Sequence, residues 1–166
     1  MPSNLHSDRA TRAEAPDRAG PLNRAMAGWH LIVDATVADP IPISSADHLR
    51  DTLTELVDLL GMQILDGPRM TEVDLEPARI ELDEDEGGIT GYCLITTSHI
   101  SIHTWPLRGR FSFDAFSCRP FDRDAALRFI RERLSVDQES VTWIERHWPG
   151  DLRRSSNPVD PAATRV

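Results

Sequence analysis

Apolar positions along this chain change period several times. Residues 29–34, Trp-His-Leu-Ile-Val-Asp, are a strand candidate, ended by the segment of Pro40 and Pro42, which cannot extend a ladder. Leu49, Leu53, Leu56, Val57 and Leu60 then recur three and four residues apart, which predicts an amphipathic helix capped by Ser44 or Ser45 and closed by Gly61. Residues 62–65 and 71–82 are moderately strand-like, and an acidic turn follows at 83–88. Residues 89–97 read as a strong strand. Two more strands, 99–105 and 111–118, are joined by Pro106-Leu107-Arg108-Gly109-Arg110. A second helix is predicted over 123–134, with Ala126, Leu127, Ile130 and Leu134 on one face, and a strand over 141–148. This order of elements predicts an α/β (α+β) fold: a two-layer sandwich of an antiparallel-rich sheet with helices on one face.

The flanks differ. Residues 1–26 are rich in Arg, Ala, Pro and Asp without a hydrophobic period, and 150–166 are equally polar; both are expected to be disordered, leaving a folded domain at 27–149. Met26, just before the first strand, is a candidate alternative start. A net charge of −9 provides no basic footprint, so a nucleic-acid partner is not expected. No apolar run approaches the roughly 18 residues a membrane span needs, and the N-terminus lacks an apolar signal core. A cytoplasmic, non-membrane protein is expected. Cys93 and Cys118 show no paired spacing, and the histidines no ligand spacing, so no metal site is expected.

Within residues 96–118, Ser98, His99, Ser101, His103 and Cys118 crowd into two strands that otherwise read as core. If Trp105 faces Phe111 across a five-residue loop, the register puts Ser98 opposite Cys118, about 5 Å away on the same face. His103, five positions from Ser98, falls on the other face by strict alternation; a bulge, a bend or a neighbouring strand must bring it round. Taken alone, a strand serine is usually a filler and a lone cysteine usually packing. Serine, histidine and cysteine together also suit a hydrolase, but a GxSxG elbow and a carboxylate to orient the histidine are missing.

Residues 97–106, Thr-Ser-His-Ile-Ser-Ile-His-Thr-Trp-Pro, resemble the processing-site motif of prokaryotic, pyruvoyl-dependent S-adenosylmethionine decarboxylases, which typically reads Glu-Ser-His-(Leu/Ile)-Ser-Ile-His-Thr-Trp-Pro. Phe116-Ser117-Cys118 resembles the family's catalytic-cysteine strand, Gly88-Ile89-Thr90-Gly91 its Gly-Val-Ser-Gly, and Gly28 through Asp34 its opening strand. The resemblance covers 27–149 and implies a proenzyme that cuts itself between Thr97 and Ser98 into β and α chains. Ser98 would become a covalent pyruvoyl cofactor, an electron sink that condenses with the substrate amine as a Schiff base. Thr90 would support processing, His103 would remove the Ser98 α-proton, and Cys118 would return a proton to the substrate. The resemblance also implies a homodimer of αβ units with sites at the subunit interface, and a product that feeds spermidine and other polyamines. Cys93 has no counterpart and is expected to be packing.

Three positions depart from the motif. Thr97 stands where most members have Glu, Leu107 where they have the Glu that binds ribose, and Glu84 where a Phe often stacks on adenine against the aromatic matched by Trp105. Trp105 and Glu84 are therefore the expected substrate contacts, with Glu81 or Glu86 as replacement acceptors. Two alternatives stay open. One is the same chemistry acting on ornithine or arginine, whose distal cation the 83–86 cluster would pair, unless that cluster is only a solvated acidic turn. The other is an unprocessed, non-catalytic regulatory homologue.

Overall fold

The computed structural model describes residues 26–73 and 87–149. Its elements are β1 (Met26–Val37), α1 (Ala46–Leu59), β2 (Ile64–Val73), β3 (Gly88–Ile95), β4 (Ser98–Trp105), β5 (Arg110–Ser117), α2 (Arg123–Arg133) and β6 (Val136–His147). The strands form one sheet in the order β2-β3-β4-β5-β1-β6, with every neighbouring pair antiparallel. Ser45 caps α1 by accepting the His48 amide, and Asp122 caps α2 by accepting that of Ala125. Gly61, at φ +64, closes α1, and its N–H donates to the Asp58 carbonyl.

Alternation sorts the sheet into two faces. Leu31, Val33, Cys93, Ile95, Ile100, Ile102, Phe111 and Phe113 point to one side, where they are buried with Leu49, Leu53, Leu56 and Val57 of α1 and Ala126, Leu127 and Ile130 of α2. Each Val, Leu, Ile or Phe among them contributes about 1.5–3 kcal/mol through burial. The other face carries Thr90, Tyr92, Ser101, His103, Asp114 and Phe116, and among the described residues no helix covers it. The two-layer sandwich expected from the pattern is thus what forms.

β1 is longer than the 29–34 segment, the strand expected over 89–97 ends at Ile95, and three further differences bear on the sheet. β2 is one continuous strand through Gly67 and Pro68, because it is an edge strand and Pro68 needs no partner for the N–H it lacks. β6 starts at Val136, through polar residues with no strand pattern, because β1 supplies its ladder and its outer side faces solvent. The third difference is at the β4–β5 hairpin. Pro106–Arg108 makes a 3-10 turn that Gly109 ends at φ +58, so the loop is four residues long and Trp105 faces Arg110. Every pairing shifts by one. Ser98 therefore faces Ser117, not Cys118. Of the disorder expected at 1–26, Met26 instead opens β1, where it pairs with His147; residues 1–25 and 150–166, the far part of the 71–82 segment, and Glu81, Glu84, Glu86 and the acidic cluster all lie outside the described residues.

Candidate active site

Thr97 and Ser98 lie at the tip of the β3–β4 hairpin. Ile95 pairs with Ser98, so Thr96 and Thr97 form a two-residue turn, and the Thr96 N–H donates to the Gln63 carbonyl at 2.9 Å. Ser98 has φ +147, a conformation that side chains with a β-carbon rarely adopt. Such a residue stores strain on the order of 1–3 kcal/mol, here in the residue that follows the expected cut. The Thr97 carbonyl accepts the Cys118 N–H at 2.9 Å. Thr97 is buried, and its hydroxyl oxygen has no hydrogen-bond partner among the described residues.

Cys118 lies one residue past the end of β5 and is exposed. It meets the hairpin tip through its backbone rather than by facing Ser98 across the ladder. The close approach of β1 here depends on Gly28, where a β-carbon would sit 2.5 Å from the Ser117 carbonyl and 3.1 Å from the Cys118 α-carbon. Cys93 is fully buried in the helix-covered face, and burial raises its thiol above the ordinary range, as suits a packing residue.

The other expected groups gather elsewhere. Thr90 and His103 are cross-strand partners, with the threonine hydroxyl 2.5 Å from His103 Nδ1. The His103 ring lies against Trp105 with centroids 4.3 Å apart, and the Arg110 guanidinium lies 5.5 Å from the Trp105 ring centre. Trp105, Arg110, Ser112, Asp34 and Gln138 line a cavity of about 470 Å³. Asp34 accepts the Ser112 hydroxyl at 2.6 Å there. Leu107, where the motif has an acid, sits exposed on the adjoining turn.

Ser98 and His103 therefore belong to two separate groups. One holds Thr97, Ser98 and Cys118 at the hairpin tip; the other holds Thr90, His103 and Trp105, five rungs along the same strands. Five residues of strand span about 16 Å, and no bulge interrupts the β3–β4 register. Strict alternation holds, so nothing brings His103 round to its own Ser98. Sequence reasoning missed the Cys118 amide, whose role depends on a loop length, and the Asp34–Ser112 pair, which joins positions 78 residues apart. Their only signal was a polar residue at an alternating position of each strand. Among the described residues, no group of His, Cys, Asp and Glu is placed to hold a metal ion.

An antiparallel sheet backed by two helices, with a serine of positive φ at a hairpin tip, defines a two-layer α+β domain. The adenosylmethionine decarboxylase of Aquifex aeolicus has a similar fold, with a TM-score of 0.58 at 24% identity, covering 75% of this chain and 93% of that one. Proteins named S-adenosylmethionine decarboxylase proenzyme are similar in sequence. The one from Pyrococcus abyssi is 28% identical over 120 residues, 72% of this chain and 78% of its own length. That from Parasynechococcus marenigrum is 29% identical over 125 residues, 75% and 88% of the two chains. The family model described as S-adenosylmethionine decarboxylase matches residues 29–147, and the chain belongs to that family.

Proposed function

We propose that this chain is a proenzyme that cuts itself between Thr97 and Ser98 and then decarboxylates S-adenosylmethionine, as part of a pair of copies. The observation that carries the reading is the peptide bond itself: a carbonyl held by the Cys118 N–H, followed by a serine at φ +147, within the family's motif. Family membership favours S-adenosylmethionine over ornithine or arginine, and over a non-catalytic role.

In the first step the Ser98 hydroxyl attacks the Thr97 carbonyl carbon. The Cys118 N–H, already donating to the carbonyl oxygen at 2.9 Å, stabilises the negative charge that develops on that oxygen. The C–N bond breaks, the Ser98 nitrogen takes the proton, and an ester remains. Removal of the Ser98 α-proton by His103 then expels the Thr97 carboxylate as the Cβ–Oγ bond breaks. Addition of water and loss of ammonia leave a pyruvoyl group at the head of the second chain. Ser98 fits that origin because it is a hydroxyl residue at a strained turn. The pyruvoyl carbonyl supplies an electron sink for the pair that departing carbon dioxide leaves behind. The Cys118 thiol, exposed beside the same turn, returns a proton to the substrate α-carbon.

His103 cannot do this for its own chain across about 16 Å of strand. Two copies related by a two-fold axis remove the difficulty, since each tip group then meets the Thr90–His103 group of the other. The uncovered face supports such pairing. It exposes Tyr92, Leu94 and Ile144, apolar side chains on a face no helix covers among the described residues. For His103 to serve as the base in this arrangement, its Nδ1–H is the donor to the Thr90 oxygen, 2.5 Å away. That leaves Nε2 free as the base and turns the Thr90 hydrogen outward. The cavity beside Trp105 takes the nucleoside, and Asp34 offers the ribose acceptor that Leu107 lacks.

Intact mass spectrometry of the purified protein, with carbon dioxide release from S-adenosylmethionine, ornithine and arginine in parallel, tests the reading. Two chains divided at Thr97/Ser98, a pyruvoyl-blocked second chain and turnover of S-adenosylmethionine are expected. A single uncut chain without turnover overturns it.

A further inference from the structure

The Thr97 hydroxyl has no place in the steps above, yet it is a conspicuous polar atom. Its oxygen is buried without a hydrogen-bond partner among the described residues, in a residue only 9% exposed. Leaving a buried hydroxyl unpaired is costly, and native folds rarely keep one without compensation. It also sits on the residue whose carbonyl is attacked. From a threonine β-carbon, the O–H reaches the residue's own carbonyl oxygen through a six-membered ring that includes the hydrogen. That oxygen already has one donor, the Cys118 N–H, and a carbonyl oxygen has two lone pairs.

We propose that the Thr97 hydroxyl is a positioning group for self-cleavage, the second donor to the Thr97 carbonyl oxygen. This rests on the self-cleavage reading and deepens it. In the resting amide the oxygen carries little charge, and the hydroxyl stands idle. As Ser98 Oγ bonds to the carbonyl carbon, the oxygen becomes an alkoxide, and a short turn of the hydroxyl gives it a charge-assisted bond. The donor is thus engaged chiefly in the transition state, the condition under which an interaction accelerates a step. No bond to the hydroxyl forms or breaks. When the C–N bond breaks and the ester forms, the hydroxyl returns to its unpaired state. After elimination the same oxygen belongs to the free Thr97 carboxylate, which needs donors in this buried place. The glutamate found here in the related motif would add a second negative charge instead.

The test compares full-length Thr97→Val, which keeps the shape and loses the hydroxyl, with Thr97→Ser, which keeps the hydroxyl. Cleavage is followed by intact mass from freshly made precursor, with and without hydroxylamine, which traps any ester as a hydroxamate at the end of the first chain. The Thr97→Val precursor is expected to cleave about ten- to a hundredfold more slowly, the range spanned by one lost donor to a charged oxygen. Hydroxylamine should not restore it, because the ester itself forms slowly. The Thr97→Ser precursor should stay within about threefold of the parent, and the Thr97→Val precursor should melt no lower than the parent precursor, since it loses only an unpaired buried hydroxyl. Cleavage of Thr97→Val at the parent rate overturns the proposal. So does equal slowing of both variants, or full rescue of Thr97→Val by hydroxylamine, which would put the defect after the ester. If the parent chain itself never cleaves, it is the self-cleavage reading that falls.

Discussion

The Cys118 amide and the Thr97 carbonyl are joined by a 2.9 Å hydrogen bond that ties the end of β5 to the turn between β3 and β4. This bond belongs to the backbone of Cys118, while the proposed proton-donor role belongs to its side chain. The two functions should therefore separate by mutation. Cys118→Ala keeps the N–H, so it should still give two chains at a rate near that of the parent while losing roughly a hundredfold or more in decarboxylation. Mass analysis of cleavage beside a carbon dioxide assay checks this; normal turnover by the variant would remove Cys118 as donor.

Ser98 and His103 stand five rungs apart on β4, and that spacing makes a sharp prediction. Ser98→Ala and His103→Ala should each remain uncut when expressed alone. Co-expressed, they should form mixed pairs in which one site has both groups, and only the His103→Ala chain should then be cleaved, in every mixed pair and so in up to about half of its copies overall. Distinct tags on the two chains make the result readable by mass. If mixing restores nothing while both variants fold, the histidine acts within its own chain or not at all.

Asp34 and Ser112 line the cavity beside Trp105, with the carboxylate held by the hydroxyl. As the acceptor for ribose hydroxyls, Asp34 should contribute mainly to ground-state binding. Asp34→Asn should raise KM for S-adenosylmethionine roughly tenfold or more, the scale of one hydrogen bond to a charged group, with kcat little changed. Self-cleavage should not respond. Steady-state kinetics on the processed variant decide the matter, and an unchanged KM would assign the nucleoside to another acceptor.

The two thiols should behave oppositely. Cys118 is exposed, whereas Cys93 is fully buried and its thiol is raised above the ordinary range, first by burial and then by the nearby charge of Asp66. At pH 8 iodoacetamide should label Cys118 alone in the folded protein and both after denaturation, as peptide mapping would show. The raised value also sets a sign. The neutral Cys93 thiol costs nothing below the unfolded thiol range near pH 8.5, and stability falls as pH rises through that range toward the folded value. Cys93→Ala should flatten this alkaline loss of melting temperature while lowering the melting temperature at neutral pH.

Much of this protein was readable along the chain. Leu49, Leu53, Leu56 and Val57 specify α1 because a helix repeats every 3.6 residues, and Ile100 and Ile102 specify a buried face of β4 because a strand repeats every two. Those periods are local, so the two-layer sandwich followed from them; the chemistry around Ser98 was implied only by the resemblance of its motif to a family. What the chain alone left undecided depended on long-range pairing. The β4–β5 register turned on whether the loop held four or five residues, and Gly109 at φ +58 decided it, replacing Cys118 by Ser117 as the partner of Ser98. The positive φ of Ser98 follows a two-residue turn whose Thr96 N–H and Thr97 carbonyl are held by Gln63 and Cys118, residues remote in sequence just outside β2 and β5. The unbroken ladder between Thr90 and Ser98 separates residues that stand together in the motif, because extended backbone turns five positions into about 16 Å. Residue identities dictated which chemical groups the site owns. Only the tertiary structure decided which of them meet, because distance in a sheet is set by register and strand rise rather than by proximity in sequence.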